Sequence, residues 1–368
     1  MSPLESDLTV RLVTSPADVR PVLITGGAGF VATNVAHRLL MCGRRVLLFD
    51  NLSRPGVSEN VRWLRETHGS LVRFRAGDIR DPEAVRLVVS EASHIFHFAA
   101  QVAVTTSLAS PFLDFETNAR GTLNLLEAVR ATDHRPPILF TSTNKVYGHL
   151  DDIDLRATPT RYEPVADELR AHGIGEDRCL EFHSPYGCSK GVAEQYVLDY
   201  ARTFGLRTVV FRMSCIYGPH QFGNEDQGWV AHFLIAAMRG QPLTIYGDGL
   251  QVRDILFVED LVDAMLLAMA NIERVSGEAF NIGGGARNTI SLIELLQLIE
   301  ELSGIIPIAQ LESWRTADQR YYVSNPAKFR NATGWCPAVG VRDGVSRLHD
   351  WIVSNVEHAT TAEGRVAS

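Results

Sequence analysis

Short, almost wholly apolar runs alternate with longer amphipathic stretches through the first two-thirds of the chain. The runs are PVLITG, RRVLLFD, LVRFRAGD, HIFHFAA, PPILFTST and RTVVFRMS, and between them lie VATNVAHRLLMCG, DPEAVRLVVSEA and ETNARGTLNLLEAVRAT. Runs of this length read as strands, and a strand apolar at every position is covered on both faces. The β-α-β alternation predicts an α/β fold, a doubly wound parallel sheet with right-handed crossovers.

The regularity breaks at 149–180, a charged stretch with two prolines and no strong period. A long connection in a compact domain is usually functional or disordered. Beyond residue 214 the pattern loosens again, through QPLTIYGDGLQVRDILFV, EAFNIGGG and LIELLQLIEEL. We expect a nucleotide-binding domain over 21–214, a smaller lobe mainly over 215–356, and loose segments at 1–20 and 357–368.

Composition narrows the classes. With 368 residues, 45% of them hydrophobic, the chain can bury a large core in two lobes. A net charge of −8 argues against general nucleic-acid affinity, so an anionic ligand needs a local cationic pocket. No apolar run approaches the roughly 18 residues of a membrane span. The first 20 residues lack a signal-peptide pattern, so a cytoplasmic protein is expected. The five cysteines are scattered, with no C-x-x-C pair, and suggest neither a disulfide framework nor a metal site.

Candidate chemistry begins in LITGGAGFVATNVAHRLL, where Gly26, Gly29 and Ala32 stand three apart between a strand and a helix. Glycine permits a sharp turn and close approach to a pyrophosphate, and the helix start offers free N–H groups and a positive dipole end. Asp50 closes the next strand, 21 residues beyond Gly29. A carboxylate there hydrogen-bonds ribose hydroxyls and repels a 2′-phosphate, which favours NAD over NADP, although Arg54 weakens that preference slightly. Asp78, in the GDI that ends the third strand, can meet the adenine amine. With strand, helix and acid in place, this is a Rossmann dinucleotide site.

HSPYGCSKGVAEQY carries Tyr186 and Lys190, one helical turn apart and on one face. A tyrosine of ordinary pKa near 10 is a poor base at neutral pH, but a neighbouring ammonium favours the phenolate. The pair suits removal of a proton from an alcohol while hydride leaves the same carbon. Thr143, at the end of the fifth strand, can offer its hydroxyl to the same oxygen. Y-x-x-x-K alone is a weak signal; its place after glycine loop, acid and STNKVYG gives it weight.

Taken together, these motifs resemble those of the extended short-chain dehydrogenases/reductases, the NAD-dependent epimerase/dehydratase family, over about residues 20–355. The resemblance implies Thr143, Tyr186 and Lys190 as catalytic residues. It implies cofactor contacts at Gly26, Gly29, Phe30, Val31, Asp50, Asn51, Ser53, Arg54, Asp78, Ile79, Phe98, Ala99, Ala100, Gln101, Asn118, Tyr186 and Lys190. Asn118, in ETNARGTLNLLEA, matches the asparagine that braces the active-site helix. RDILFVED places Arg253 near a nucleotide diphosphate, and WRTADQR supplies Arg315 and Asp318. Thr105, Asn144, Lys145, Cys215 and Gln221 complete the implied nucleotide-sugar site. A homodimer through the helices carrying Asn118 and Tyr186 is implied as well.

Asn144 and Lys145 discriminate among the family's reactions. Its 4,6-dehydratases carry Asp-Glu directly after the active-site threonine, and its decarboxylases usually carry a Glu there. An amide and an ammonium do not readily supply that acid–base pair, so oxidation followed by re-reduction remains. STNKVYG, FDNLSR, QVAVTTS, FHSPYGCSKG and QFGNEDQGWV are similar to the CDP-tyvelose (CDP-paratose) 2-epimerase subgroup. Most of the family has Asn where Cys215 stands; the 2-epimerases already carry a small residue, so only that diphosphate contact is in doubt. The expectation is an NAD-dependent nucleotide-sugar epimerase acting at C2 of a CDP-hexose. The alternatives are a UDP-sugar 4-epimerase and, in another class, a catalytically silent NAD-binding regulator.

Overall fold

A computed structural model of the chain describes residues 20–315 and 318–366. The segment set apart at the N-terminus lies, but for Arg20, outside the described residues. Seven strands form one all-parallel sheet: β1 (Val22–Thr25), β2 (Val46–Asp50), β3 (Val72–Ala76), β4 (His94–His97), β5 (Ile138–Thr143), β6 (Thr208–Met213) and β7 (Glu278–Ile282). Their spatial order is β7-β6-β5-β4-β1-β2-β3. Order reverses between β1 and β4, the switch point where ligands of doubly wound sheets bind.

All six apolar runs became strands because each feeds a core on both faces. Ile24 packs on one side with Leu48, Phe96 and Phe211. Its neighbour Leu23 packs on the other with Leu47, Ile95, Phe140 and Val210. The period-2 alternation of side chains puts one apolar set on each face, which is why the runs show no polar alternation.

The seventh strand was not expected. β7 comes from EAFNI, within the stretch assigned to the smaller lobe, and pairs with β6 from Glu278↔Val209 to Ile282↔Met213. Helix Val258–Ala270 likewise contributes Leu261, Val262 and Met265 to the core beside β1. The chain therefore returns to the nucleotide-binding domain after first leaving it. The smaller lobe is built around strand Val252–Phe257 and helices Trp229–Met238 and Leu292–Ser303. The latter starts at a reciprocal Ser291/Glu294 cap and ends at Gly304 in the left-handed region.

Residues 149–180 are ordered and join the lobes. Strands Leu155–Ala157 and Tyr162–Pro164 form a hairpin. Arg161 Nε donates to Glu294 Oε1 at 2.6 Å, Tyr162 N to Leu250 O at 2.8 Å, and Ile174 N to Val323 O at 2.7 Å. The last helix runs Val341–Val366 and takes in most of the terminal segment set apart from sequence. No helix among the described residues is long and apolar enough to cross a membrane.

Candidate active site

The glycine turn follows β1. Gly26 has φ +66°, and a Cβ there would lie 2.7 Å from Ala99 N and Phe98 C. The turn thus needs glycine twice over, for backbone conformation and for close approach to the end of β4. Helix Phe30–Met41 begins at Gly29 with no side-chain cap and no acid in its first turn. Its N-terminal N–H groups are left to an external anion. Asp50 ends β2 with Oδ2 accepting from Ala28 N at 3.1 Å and Oδ1 from Leu52 N at 2.7 Å. Each oxygen keeps a lone pair for a ribose hydroxyl. Cradle, uncapped helix and carboxylate fit NAD.

Around this turn the structure gathers Asn51, Asp78 and Arg54. Asn51 Nδ2 donates to Asp78 Oδ2 at 2.9 Å, and Arg80 forks onto both oxygens of Asp78. Arg80 holds the Asp78 carboxyl far below its usual value. Asp78 is therefore an engaged anion, with less capacity for an adenine amine than its position suggests. Arg54 feels the charge of Asp50 and lines a cavity with Gly29, Phe30, His220 and Gln221. Gln221, which the resemblance assigned to substrate, thus stands at the nucleotide end.

The catalytic set meets at the carboxyl end of β5. Helix Ser184–Phe204 starts with Pro185 in its first turn and stops at Gly205 in the left-handed region. It places Tyr186 and Lys190 on its buried face. The Tyr186 hydroxyl hydrogen-bonds with Thr143. Burial raises Tyr186 to about 12, the Thr143 hydrogen bond pulls it down, and Asp114 pushes it up. Lys190 Nζ donates to Thr141 O at 2.5 Å and lies 4.3 Å from the Phe140 ring centre. The ammonium is thus anchored beneath the strand, a correction to the expectation that it stands directly beside the phenol. Burial lowers Lys190 to about 7, against the pull of Glu194 and Asp114.

Asn118 is the joint between the two ends. It lies in a π-turn, Glu116–Arg120, that interrupts the helix running on to Arg130. Such turns re-aim a side chain inside a helix. Its Oδ1 accepts from Gln101 N at 2.8 Å. Its Nδ2 lies 2.9 Å from Gln101 O, 3.1 Å from Asp114 Oδ1 and 3.0 Å from Ser189 Oγ. Ser189 Oγ in turn donates to Tyr186 O at 3.2 Å. The segment after β4, which carries Phe98, Ala99, Ala100 and Gln101, is thereby tied to the Tyr186 helix.

Beside Thr143 the two discriminating residues are committed to neighbours. Asn144 Nδ2 donates to Gln319 Oε1 at 3.1 Å, and Gln319 Nε2 to Gly148 O at 2.6 Å. Lys145 Nζ lies 3.7 Å from Asp318, which also takes Arg253 at 2.8 Å. Burial works against the charge on Asp318, but the two cations keep its carboxyl below the ordinary value. Burial lowers Lys145, and Asp318 opposes that. Cys215, on strand Cys215–Tyr217 beside Val252–Phe257, feels both cations, while burial raises its thiol. Two cations against one carboxylate give this corner the local positive charge an anionic ligand needs.

Two implied substrate residues fall outside this corner. Arg315 stacks over Tyr246 at 3.8 Å and pairs with Glu225 at 3.4 Å. Thr105 is exposed on helix Val104–Ala109. Conversely, Asp114, Glu194, Arg212 and Gln319 were not singled out from sequence. Glu194 carried a legible signal, being the third residue of a Tyr186-Lys190-Glu194 spacing of four.

Three comparisons bear on this geometry. The model of the NAD dependent epimerase/dehydratase family matches residues 22–283. The chain is similar to the CDP-paratose 2-epimerase of Salmonella typhi, 45% identical over 90% of this chain and 99% of that one. Among solved structures, it is similar to the UDP-glucose 4-epimerase of Thermus thermophilus in complex with NAD. That match has a TM-score of 0.75 and 32% identity, over 90% of this chain and 98% of the other. The UDP-glucose 4-epimerase of Thermotoga maritima with UDP-glucose gives a TM-score of 0.76 and 31% identity, over 91% and 99% of the two chains.

Proposed function

The chain belongs to the NAD dependent epimerase/dehydratase family, and on that premise we propose that it is a nucleotide-sugar epimerase acting at C2 of a CDP-hexose. The observation that carries this reading is the surrounding of the Tyr186–Thr143 hydrogen bond: an amide and an ammonium flank it, where a dehydratase needs two acids. The likeness to the Salmonella typhi CDP-paratose 2-epimerase supports the CDP-hexose and the carbon.

In this reading NAD⁺, when bound, takes up hydride from the sugar carbon and gives it back. Gly26, Gly29 and the uncapped helix start hold its pyrophosphate, and Asp50 its ribose. Tyr186 accepts the hydroxyl proton, with Thr143 fixing the sugar oxygen. Asn118 sets the tilt of the Tyr186 helix through Ser189. Lys145 and Arg253 anchor the diphosphate, so that the sugar can present its other face while the nucleotide stays in place. Tyr186 then returns the proton to the re-formed alkoxide.

Incubation with CDP-tyvelose and, separately, UDP-glucose, followed by NMR of the products, tests the substrate. Inversion at C2 of the CDP sugar is expected; inversion at C4 of UDP-glucose alone would make the protein a UDP-sugar 4-epimerase.

The proposed enzyme is a homodimer. Leu108, Phe112, Leu113 and Phe115 are exposed together ahead of Asn118, Phe112 to 86%. Tyr196 and Phe204 are exposed on the Tyr186 helix. Apolar side chains so grouped mark an association surface. Light scattering should read twice the chain mass; a monomer at micromolar concentration would contradict this.

A further inference from the structure

Asp114 lies on the short helix Pro111–Phe115, one turn before Asn118, and is fully buried. Its Oδ1 is 3.1 Å from Asn118 Nδ2 and 3.2 Å from Gln101 Nε2. Its Oδ2 makes no hydrogen bond in the structure. The Ser189 hydroxyl is close enough to stabilise the carboxylate but donates instead to Tyr186 O, and a hydroxyl can rotate between the two. A carboxylate this deep with one oxygen unpaired is costly unless a cation faces it. Lys190 is the cation whose charge reaches it.

We propose that Asp114 is a positioning residue for the proton-transfer pair, bracing the Asn118–Ser189–Tyr186 chain with one oxygen and holding the Lys190 ammonium in place by charge with the other. The inference rests on the reading of Tyr186 and Lys190 given above.

The other groups around Lys190 do not fill this role. Glu194, one turn further along the same helix, already receives Arg212 Nη2 at 2.6 Å and Ser142 Oγ at 2.6 Å. His97, from β4, is held between Thr25 Oγ1 at 2.6 Å and Thr122 Oγ1 at 3.0 Å. Burial, and then Lys190 itself, push its imidazole down to about 3, so it is neutral. Tyr186 precedes Lys190 by a turn and is protonated at rest. Thr141 O is a neutral acceptor. Asp114 is the remaining anion, and no guanidinium claims it.

The sign of its effect follows. Burial lowers Lys190 to about 7, and Asp114 opposes that fall. Neutralising Asp114 therefore drops the Lys190 midpoint further, leaving the amine uncharged at neutral pH. A neutral amine gives a developing phenolate no support. Burial alone also raises the Asp114 carboxyl, so the charge of each partner depends on the other.

Lys145, Lys190 and Lys328 are the chain's three lysines. NAD-loaded protein labelled with ¹³C at lysine Cε thus gives three resonances, assigned with Lys145→Arg and Lys328→Arg, whose titration needs no substrate. In the wild type the Lys190 midpoint is expected near 7. In Asp114→Asn, which keeps the shape, it should fall by roughly 1–3 pH units, the range for loss of a close opposite charge. Ser189→Ala removes a hydroxyl that stabilises the carboxylate and should shift Lys190 the same way by less. Lys328, paired with Glu278 at 2.7 Å, should not move. An unchanged Lys190 midpoint in Asp114→Asn overturns the proposal. If that variant does not retain NAD, Ser189→Ala decides, and an unmoved midpoint there overturns it equally. Turnover of Tyr186→Phe judges the underlying reading separately, so the two can fail independently.

Discussion

Tyr186→Phe should keep its fold and its bound NAD yet lose turnover by about 10²–10⁴-fold, the usual contribution of a positioned acid–base group. The substitution removes one hydroxyl, whose partner Thr143 remains hydrogen-bonded to Lys145 N at 3.2 Å. Packing is nearly unchanged, so a loss of this size reports proton transfer. Burial holds Tyr186 at about 12 in the free chain. The phenolate therefore forms only with cationic help, from Lys190 and from the positive charge of NAD⁺. Steady-state rates on protein matched for NAD content measure the effect. Turnover like that of the wild type would remove Tyr186 from the mechanism, and with it the case against a silent NAD-binding regulator.

The largest effect on stability is expected at Glu194, beneath the site. It is fully buried, as is nearly all of Arg212. Arg212 Nε lies 3.0 Å and Nη2 2.6 Å from Glu194 Oε1, and Nη1 donates to Tyr147 Oη at 2.9 Å. Tyr147 Oη passes the chain to Asn281 Oδ1 at 2.8 Å, on β7. Glu194→Ala strands a guanidinium in the interior, which costs about 3–5 kcal/mol. The double variant Glu194→Ala/Arg212→Met should recover much of that, because no unpaired charge is then left behind. Denaturant midpoints of the three proteins decide. A single-variant loss below about 1 kcal/mol, the level of an exposed pair, would mean that the guanidinium escapes to water.

These residues also mark where the sequence was readable. The six strands were legible because burial on both faces leaves an uninterrupted apolar run. β7 was not, because EAFNI follows a segment that has already left the domain, and periodicity carries no information about return. Tyr186, Lys190 and Asn118 were legible through spacing and resemblance, and the structure joins them through Ser189. Asp114 was not, since an acid in PFLDFETN looks like any helical surface residue until the π-turn brings it inward. Gln319 gave no local signal; its role comes from meeting Asn144, 175 positions away. Arg315 shows the converse: a motif match fixes a position in the chain, while Glu225, Asp226 and Tyr246 decide where its guanidinium rests.

The central claim is that Asn144 and Lys145 leave the keto sugar no route to lose water. Mass spectrometry of the product formed from CDP-tyvelose in D₂O tests it most directly. Tyr186 handles only the hydroxyl proton, and the hydrogen taken from carbon is the one returned. The product should therefore be an isomer of unchanged mass once its hydroxyls are exchanged back into H₂O. A product lighter by one water, or one that retains deuterium on carbon, would contradict the epimerase reading.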